Sequence, residues 1–228
     1  MSNYVIDPPA VTAVPVAGGG SFPVRRIFCV GRNYAEHARE MGHDPDREDP
    51  FFFTKPADAL VINGADMPYP TKTSDLHHEM ELVVAIGTGG KDIPEAAALA
   101  HVYGYAAGLD MTRRDLQAAA KKAGRPWDMA KGFDLSGPIG EIVPASHAGH
   151  PSAGKIELTV NGVVRQTSDL AKQIWNVEET IAYLSGLVEL KPGDLIFTGT
   201  PEGVAAVNKG DVLEGVIAGV GTVRTRIA

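Results

Sequence analysis

The sequence predicts an α+β fold that is mainly β. Three observations carry the prediction: long β-like stretches recur along the chain, helical patterns are few and scattered, and the two do not alternate strictly as in βαβ units. Strands are predicted over about 24–30, 58–63, 79–87, 102–109, 139–143, 155–160, 194–198, 211–217 and 221–227. Helices are predicted over 33–41, 94–100, 112–123 and 176–186.

Each element has a local reason. Residues 1–20 are rich in Val, Ala, Pro and Gly and end in Gly18-Gly19-Gly20, so they read as an extended lead-in that adds a strand to the edge of the main sheet. The chain therefore divides into an N-terminal extension, 1–22, and one unit, 23–228. Phe28-Cys29-Val30 reads as buried strand, with Cys29 as a core thiol rather than a nucleophile. Asn33 is placed to cap the helix that follows it, and Gly42 to stop it. Leu82-Val83-Val84-Ala85-Ile86 is an uninterrupted apolar run, which suits a strand buried on both faces. The strand at 102–109 ends in Asp110 and leads into a helix with a Thr112/Asp115 capping box and Gly124 as its stop. Asn161-Gly162 between two β-like runs signals a hairpin. The last helix has Asn176 as cap, Glu179 three residues on, and Gly186 after it.

Composition narrows the function. The chain has 228 residues, 44% of them hydrophobic, enough for one generously sized domain with a packed core. A net charge of −7 argues against nucleic acid or an anionic membrane as partner. No run reaches the length of a membrane span, and the start lacks a basic-then-apolar leader. Cys29 is the only cysteine, so no internal disulfide forms. A cytoplasmic enzyme or binding protein is expected.

Glu79 and Glu81 are the most informative residues. Two apart in a strand, they share a face at the mouth of a segment built for burial, where paired carboxylates cost several kcal/mol unless a cation or proton compensates. The nearest lysines or arginines in sequence, Lys72 and Lys91, lie outside the strand, which points to a hard metal ion. Asp110 supplies a third oxygen donor, and such a set favours Mg²⁺ or Mn²⁺ over zinc. The competing reading makes the glutamates an exposed strand end and Asp110 a helix cap. His37 and Glu40 are three apart on one helix face, where a carboxylate can orient an imidazole as a base; the same spacing also makes ordinary surface contacts. The glycine-rich stretch 87–92 has Asp92 after Lys91 and reads as a turn rather than a phosphate loop, and no G-x-S-x-G elbow occurs. The stretch 198–203 reads either as a tight turn or as an anion cradle.

Taken together, these residues resemble the fumarylacetoacetate hydrolase family. The matching pieces are Gly31-Arg32-Asn33-Tyr34 with His37 and Glu40; Phe53-Thr54-Lys55-Pro56; Glu79-Met80-Glu81-Leu82; Asp110-Met111-Thr112-Arg113-Arg114-Asp115-Leu116-Gln117; Lys131-Gly132-Phe133-Asp134; Asn161-Gly162 with Arg165-Gln166; and Thr198-Gly199-Thr200-Pro201-Glu202-Gly203. The resemblance implies a mixed β-sandwich roll, a homodimer, and Mg²⁺ or Mn²⁺ held by Glu79, Glu81 and Asp110. It implies catalytic roles for His37, oriented by Glu40 on a lid at about 33–48, and for Lys131. Arg114, Gln117 and Thr200 would bind the substrate carboxylate, although the Arg113-Arg114 doublet leaves open which arginine faces it. Within the family, the short chain and the segment Gly42-His43-Asp44-Pro45-Asp46-Arg47-Glu48 look most like fumarylpyruvate hydrolases, with acylpyruvases as close relatives. Oxaloacetate decarboxylases and decarboxylase/isomerases share the triad, and a non-catalytic binding domain is the reading from another class.

Overall fold

The computed structural model of the protein describes residues 4–40 and 48–228. Regular structure begins with an antiparallel hairpin of β1 (Ala13–Pro15) and β2 (Ser21–Pro23). The lead-in therefore does not add a strand to the edge of the main sheet: it forms its own hairpin, which packs on that sheet through Val14 and Phe22 and bridges to Ile142 through Val16. There follow β3 (Arg26–Gly31), α1 (Ala35–Glu40), β4 (Phe51–Lys55), β5 (Met80–Ile86) and β6 (Val102–Leu109). Next are α2 (Arg114–Ala123), α3 (Asp128–Lys131), β7 (Val143–Pro144), β8 (Lys155–Val160), β9 (Val163–Asp169) and α4 (Val177–Leu187). The last strands are β10 (Asp194–Phe197), β11 (Val212–Ile217) and β12 (Gly221–Arg226).

Two sheets organise the molecule. The six-stranded sheet has the order β7-β6-β5-β10-β3-β4, and only its β10–β3 pair is parallel. The four-stranded sheet, β9-β8-β11-β12, is antiparallel throughout. Alternation explains how they pack. Leu82, Val84 and Ile86 of β5 join a core with Ile156, Leu158, Leu213 and Val223 of the smaller sheet. Val83 and Ala85 point the other way, into a second core with Cys29, Leu195, Phe197 and the hairpin residues Val14 and Phe22. A strand buried on both faces must be apolar throughout, as the β5 run is.

Most predicted elements form, with instructive departures. The strand expected at 58–63 shortens to Leu60–Val61 behind a 3₁₀ turn, and the one expected at 139–143 splits into Gly137–Pro138 and β7. The helix expected at 94–100 is 3₁₀, Glu95–His101. Strand β4 follows Pro50 in an aromatic stretch that was not assigned from sequence. Thr112 does not cap α2: with Arg113 it pairs as a short strand against Leu76–His77, and Asp115 instead accepts from Thr73 Oγ1 and Ser74 N. Gly124 ends α2 at φ 61, as expected. The capping box at Asn176 and Glu179 forms, but Gly186 lies inside α4 and Val188 ends it. Asn161 and Gly162 turn the β8–β9 hairpin at φ 53 and 77, the pair of left-handed residues such a turn requires. Asn33 is not a helix cap. It is wholly buried and spends its amide elsewhere, and the predicted stop, Gly42, lies outside the described residues.

Candidate active site

Strand register assembles the acidic cluster. Met80 pairs with Leu109 and Glu81 with Gly108, so one step further Asp110 stands opposite Glu79, and Asp110 N donates to Glu79 O at 2.9 Å. On the other side of β5, Phe197 pairs with Val83, which carries Gly199 to Glu81. The carboxylates of Glu79, Glu81 and Asp110 are all buried, with donor oxygens within 4.8 Å of one another.

The expected shortage of cations does not hold. Lys131 Nζ lies 2.8 Å from Glu79 and 2.7 Å from Asp110, and Arg114 contacts Glu79 at 2.6 Å. Lys55 Nζ sits 2.7 Å from Asp110 Oδ1, while its hydrogen bonds go to the carbonyls of Met111 and Lys131 and to Ser136 Oγ. Sequence proximity could not reveal these cations, because Lys131 and Arg114 arrive from helices beyond the second strand. Burial pushes Glu79 up, but Lys131 and Arg114 outweigh it and hold its carboxyl well below the usual range. Glu81 differs. Burial, then Asp110 and Glu79, raise its pKa well above the ordinary value, and it has no basic partner among the described residues. Among the described residues Asp110 Oδ1 accepts no hydrogen bond, and its close contact is the Lys55 ammonium at 2.7 Å. A buried all-oxygen set with one uncompensated carboxylate and one unused acceptor fits a hard divalent cation.

The stretch 198–203 resolves into both of its readings. Gly199 turns at φ 93 and Gly203 at φ 90, and their N–H groups hold anions that belong to the protein. Gly199 N donates to Glu81 Oε2 at 2.7 Å, and Gly203 N approaches Glu40 at 3.2 Å. At Gly199 only glycine fits, since an added Cβ would lie 2.7 Å from that of Asn33. The Thr200 hydroxyl accepts from Gln166 Nε2 at 2.8 Å and keeps its own proton to donate.

Around the cluster lies a narrow cleft, which His37, Glu79, Glu81, Arg114, Gln117, Lys131 and Thr200 all line. His37 is buried, with Nδ1 3.4 Å from Glu40 Oε2, and burial lowers its pKa despite the nearby Glu79 and Glu40, which leaves it neutral. Lys131 is also buried, and its two carboxylates outweigh that burial, so it stays cationic. The arginine doublet divides. Arg114 reaches Glu79 and Gln117 Oε1, whereas Arg113 stacks 4.3 Å over Phe133 and donates to Met129 O. Of the segment 33–48, residues 41–47 lie outside the described residues; Asn33 anchors its start by bonds to both backbone groups of Trp175 and to Thr198 O. Cys29 is buried, and burial raises its thiol well above the ordinary value, as suits a core residue.

The family motifs include Lys55 and Arg32 without a role for either; Arg32 lines the cleft, as do Phe51, Lys121 and Trp127, which no sequence signal marks. The usable signal was a lysine between an aromatic run and a proline.

A buried acid triad, paired with lysines on a double-cored β scaffold, defines the class, and the chain belongs to the fumarylacetoacetate hydrolase family. Residues 26–228 match the family model described as Fumarylacetoacetate (FAA) hydrolase C-terminal. The chain is 53% identical to the fumarylpyruvate hydrolase of Pseudomonas aeruginosa, solved in complex with Mn²⁺ and pyruvate, with a TM-score of 0.97 and 99% of each chain covered. It is 50% identical over 182 residues to the fumarylpyruvate hydrolase of a Ralstonia species, covering 79% of this chain and 94% of that one. It is 42% identical over 196 residues to the mitochondrial oxaloacetate tautomerase FAHD1 of Homo sapiens, covering 86% and 88%.

Proposed function

We propose that this protein is a metal-dependent hydrolase of acylpyruvates and that it splits fumarylpyruvate into fumarate and pyruvate. The observation that carries the reading is one cleft lined by Glu79 and Glu81, a neutral oriented imidazole and two fixed cations, with Asp110 completing the acid triad within 4.8 Å. The similarity to two fumarylpyruvate hydrolases supports it, and so does the Mn²⁺ and pyruvate bound by one of them.

Mg²⁺ or Mn²⁺ would be held by Glu79, Glu81 and Asp110, and when bound it supplies positive charge for the pyruvate end of the substrate. His37 takes a proton from the water that adds to the distal carbonyl, and Glu40 holds its ring. The bond between that carbonyl carbon and the adjacent methylene breaks, its electron pair moves to the pyruvate side, and the resulting enolate takes up a proton. Arg114, Gln117 and Thr200 grip the substrate carboxylate, and Lys131 stabilises the negative charge that develops. A catalytic unit of 23–228 with a lid at about 33–48, a homodimer, and a cytoplasmic location complete the proposal. The family match from residue 26 supports the unit, and the open outer edge of β9, with Val163 and Val164 exposed, supports a dimer. No described helix is long and apolar enough to cross a membrane.

Oxaloacetate tautomerisation or decarboxylation, or decarboxylation/isomerisation of a 2-hydroxy-2,4-dienedioate, is the second reading, favoured by the human relative. It uses the same enolate chemistry without attacking water. A panel of fumarylpyruvate, acetylpyruvate, oxaloacetate and fumarylacetoacetate, assayed with Mg²⁺ and with chelator, separates them. Fumarylpyruvate should lead in kcat/KM and chelator should abolish its cleavage. Faster turnover of oxaloacetate would overturn the hydrolase reading, and turnover of none would leave a binding domain.

A further inference from the structure

Strand β9 lies at the edge of the smaller sheet, and Gln166 alone among its residues is buried. A bulge turns it inward. Leu158 of β8 pairs with Gln166 and Thr159 with Val164, so Arg165 is left without a partner in the ladder. The turn after β10 packs directly on this bulge, where a Cβ added to Gly203 would lie 2.3 Å from Arg165 O. Burying an amide costs free energy unless its oxygen and its nitrogen are both bonded, and here both are.

The polarity of these bonds is fixed at both ends. Met80 N can only donate, which makes the amide atom 3.0 Å from it Oε1. Pro201 O can only accept, which makes the atom 2.9 Å from it Nε2. With the amide so oriented, His78 Nδ1, 2.9 Å from Oε1, must donate, and Thr200 Oγ1, 2.8 Å from Nε2, must accept. The proton of the Thr200 hydroxyl therefore points elsewhere, and among the described residues no acceptor takes it. Thr200 is buried and lines the cleft, so it offers that proton to whatever lies there. The amide oxygen meanwhile holds the two residues that flank Glu79, one through its side chain and one through its backbone. One side chain thus sets the spacing between the start of β5 and the turn that carries Thr200.

We propose that Gln166 is a positioning residue: it fixes the Thr200 hydroxyl as a hydrogen-bond donor to the substrate carboxylate and holds it at a set distance from Glu79. A donor already aimed gives up little rotational freedom when the carboxylate arrives, and a bond to a charged acceptor contributes more than one between neutral groups. Without the amide, the hydroxyl can turn its proton away from the cleft. The role rests on the reading in which Thr200 grips the substrate carboxylate.

Pyruvate, which carries the carboxylate in question, is the probe. Calorimetry at saturating Mn²⁺ gives its affinity for wild type, Thr200→Val, Thr200→Ser, Gln166→Met and the double variant Gln166→Met/Thr200→Val. Thr200→Val should weaken pyruvate on the order of 10- to 100-fold, the usual loss of a bond to a charged group, while Thr200→Ser should stay near wild type. Gln166→Met should weaken it roughly tenfold when Thr200 is present and far less when valine replaces it, because the amide acts through the hydroxyl. A merely structural role gives the same loss in both backgrounds, and that result overturns the proposal. So does a Thr200→Val variant that binds pyruvate as wild type does, or a wild type that binds none. Gln166→Glu still accepts from Met80 N and His78 Nδ1, so it repeats the cycle should Gln166→Met not fold. The same coupling should appear in KM for fumarylpyruvate. If no acylpyruvate is cleaved yet the coupling on pyruvate holds, the hydrolase reading fails and the positioning role stands.

Discussion

His37 and Glu81 carry opposite electrostatic tasks a short distance apart. Burial makes the imidazole neutral and therefore able to accept a proton, while Glu40 fixes its ring and is itself held by Gly203 N. If His37 activates water, His37→Ala should slow fumarylpyruvate cleavage by roughly 10²- to 10⁴-fold, the range for a positioned general base. Any oxaloacetate decarboxylation should fall far less, since that reaction needs no attacking water. The measurement is kcat/KM for both reactions at saturating metal. An equal loss in both would make His37 a binding residue, and no loss would reduce the pair to a surface contact.

Elements place these residues through a few strong local features. Helix α4 starts with a complete capping box, in which Asn176 accepts from Glu179 N at 2.8 Å and Glu179 returns a bond to Asn176 N at 3.1 Å. Its inward residues, Val177, Ile181 and Leu184, pack into the core shared by the two sheets. Asn176→Ala should therefore cost about 1 kcal/mol and lower Tm by roughly 2–4 °C without changing kcat/KM. Thermal unfolding monitored by circular dichroism checks the first half and a standard assay the second. A large loss of activity would mean that α4 positions the site rather than merely supporting the core.

At the scale of the molecule, the acid triad ties strands β5 and β6 and the turn after β10 into one centre, and its charge balance depends on groups from all of them. Lys55, Arg114 and Lys131 already compensate Glu79 and Asp110, so the benefit of a divalent ion concentrates at Glu81. An ion that binds only the folded state stabilises it by about 2.7 kcal/mol at a hundredfold excess over Kd. Mn²⁺ should therefore raise Tm by several degrees, with chelator reversing the shift. Glu81→Gln should weaken binding on the order of 10- to 100-fold or more, by comparison with losses from supporting groups. An unchanged Mn²⁺ affinity in that variant, measured by calorimetry, would rule out the triad.

What the sequence determined by itself was whatever depends on near neighbours along the chain. An unbroken apolar run made β5 a doubly buried strand, and the two-residue period of a strand put Glu79 and Glu81 on one face; Asn161-Gly162 set a hairpin, and Asn176 with Glu179 set a helix start. The order of short motifs also carried the family resemblance. What it misjudged locally were positions where a distant group competes for a side chain: Asn33 goes to Trp175 and Thr198 and does not cap its helix, and Asp115 goes to Thr73 and Ser74 and does not close a capping box with Thr112. Only the tertiary structure decided which cations meet the triad, that Arg114 rather than Arg113 faces the cleft, and that the glycine turn holds Glu81. The physical reason is range. Backbone conformation and face are set within a few residues, whereas the charge state of a buried site is the sum over every group that folding carries to it.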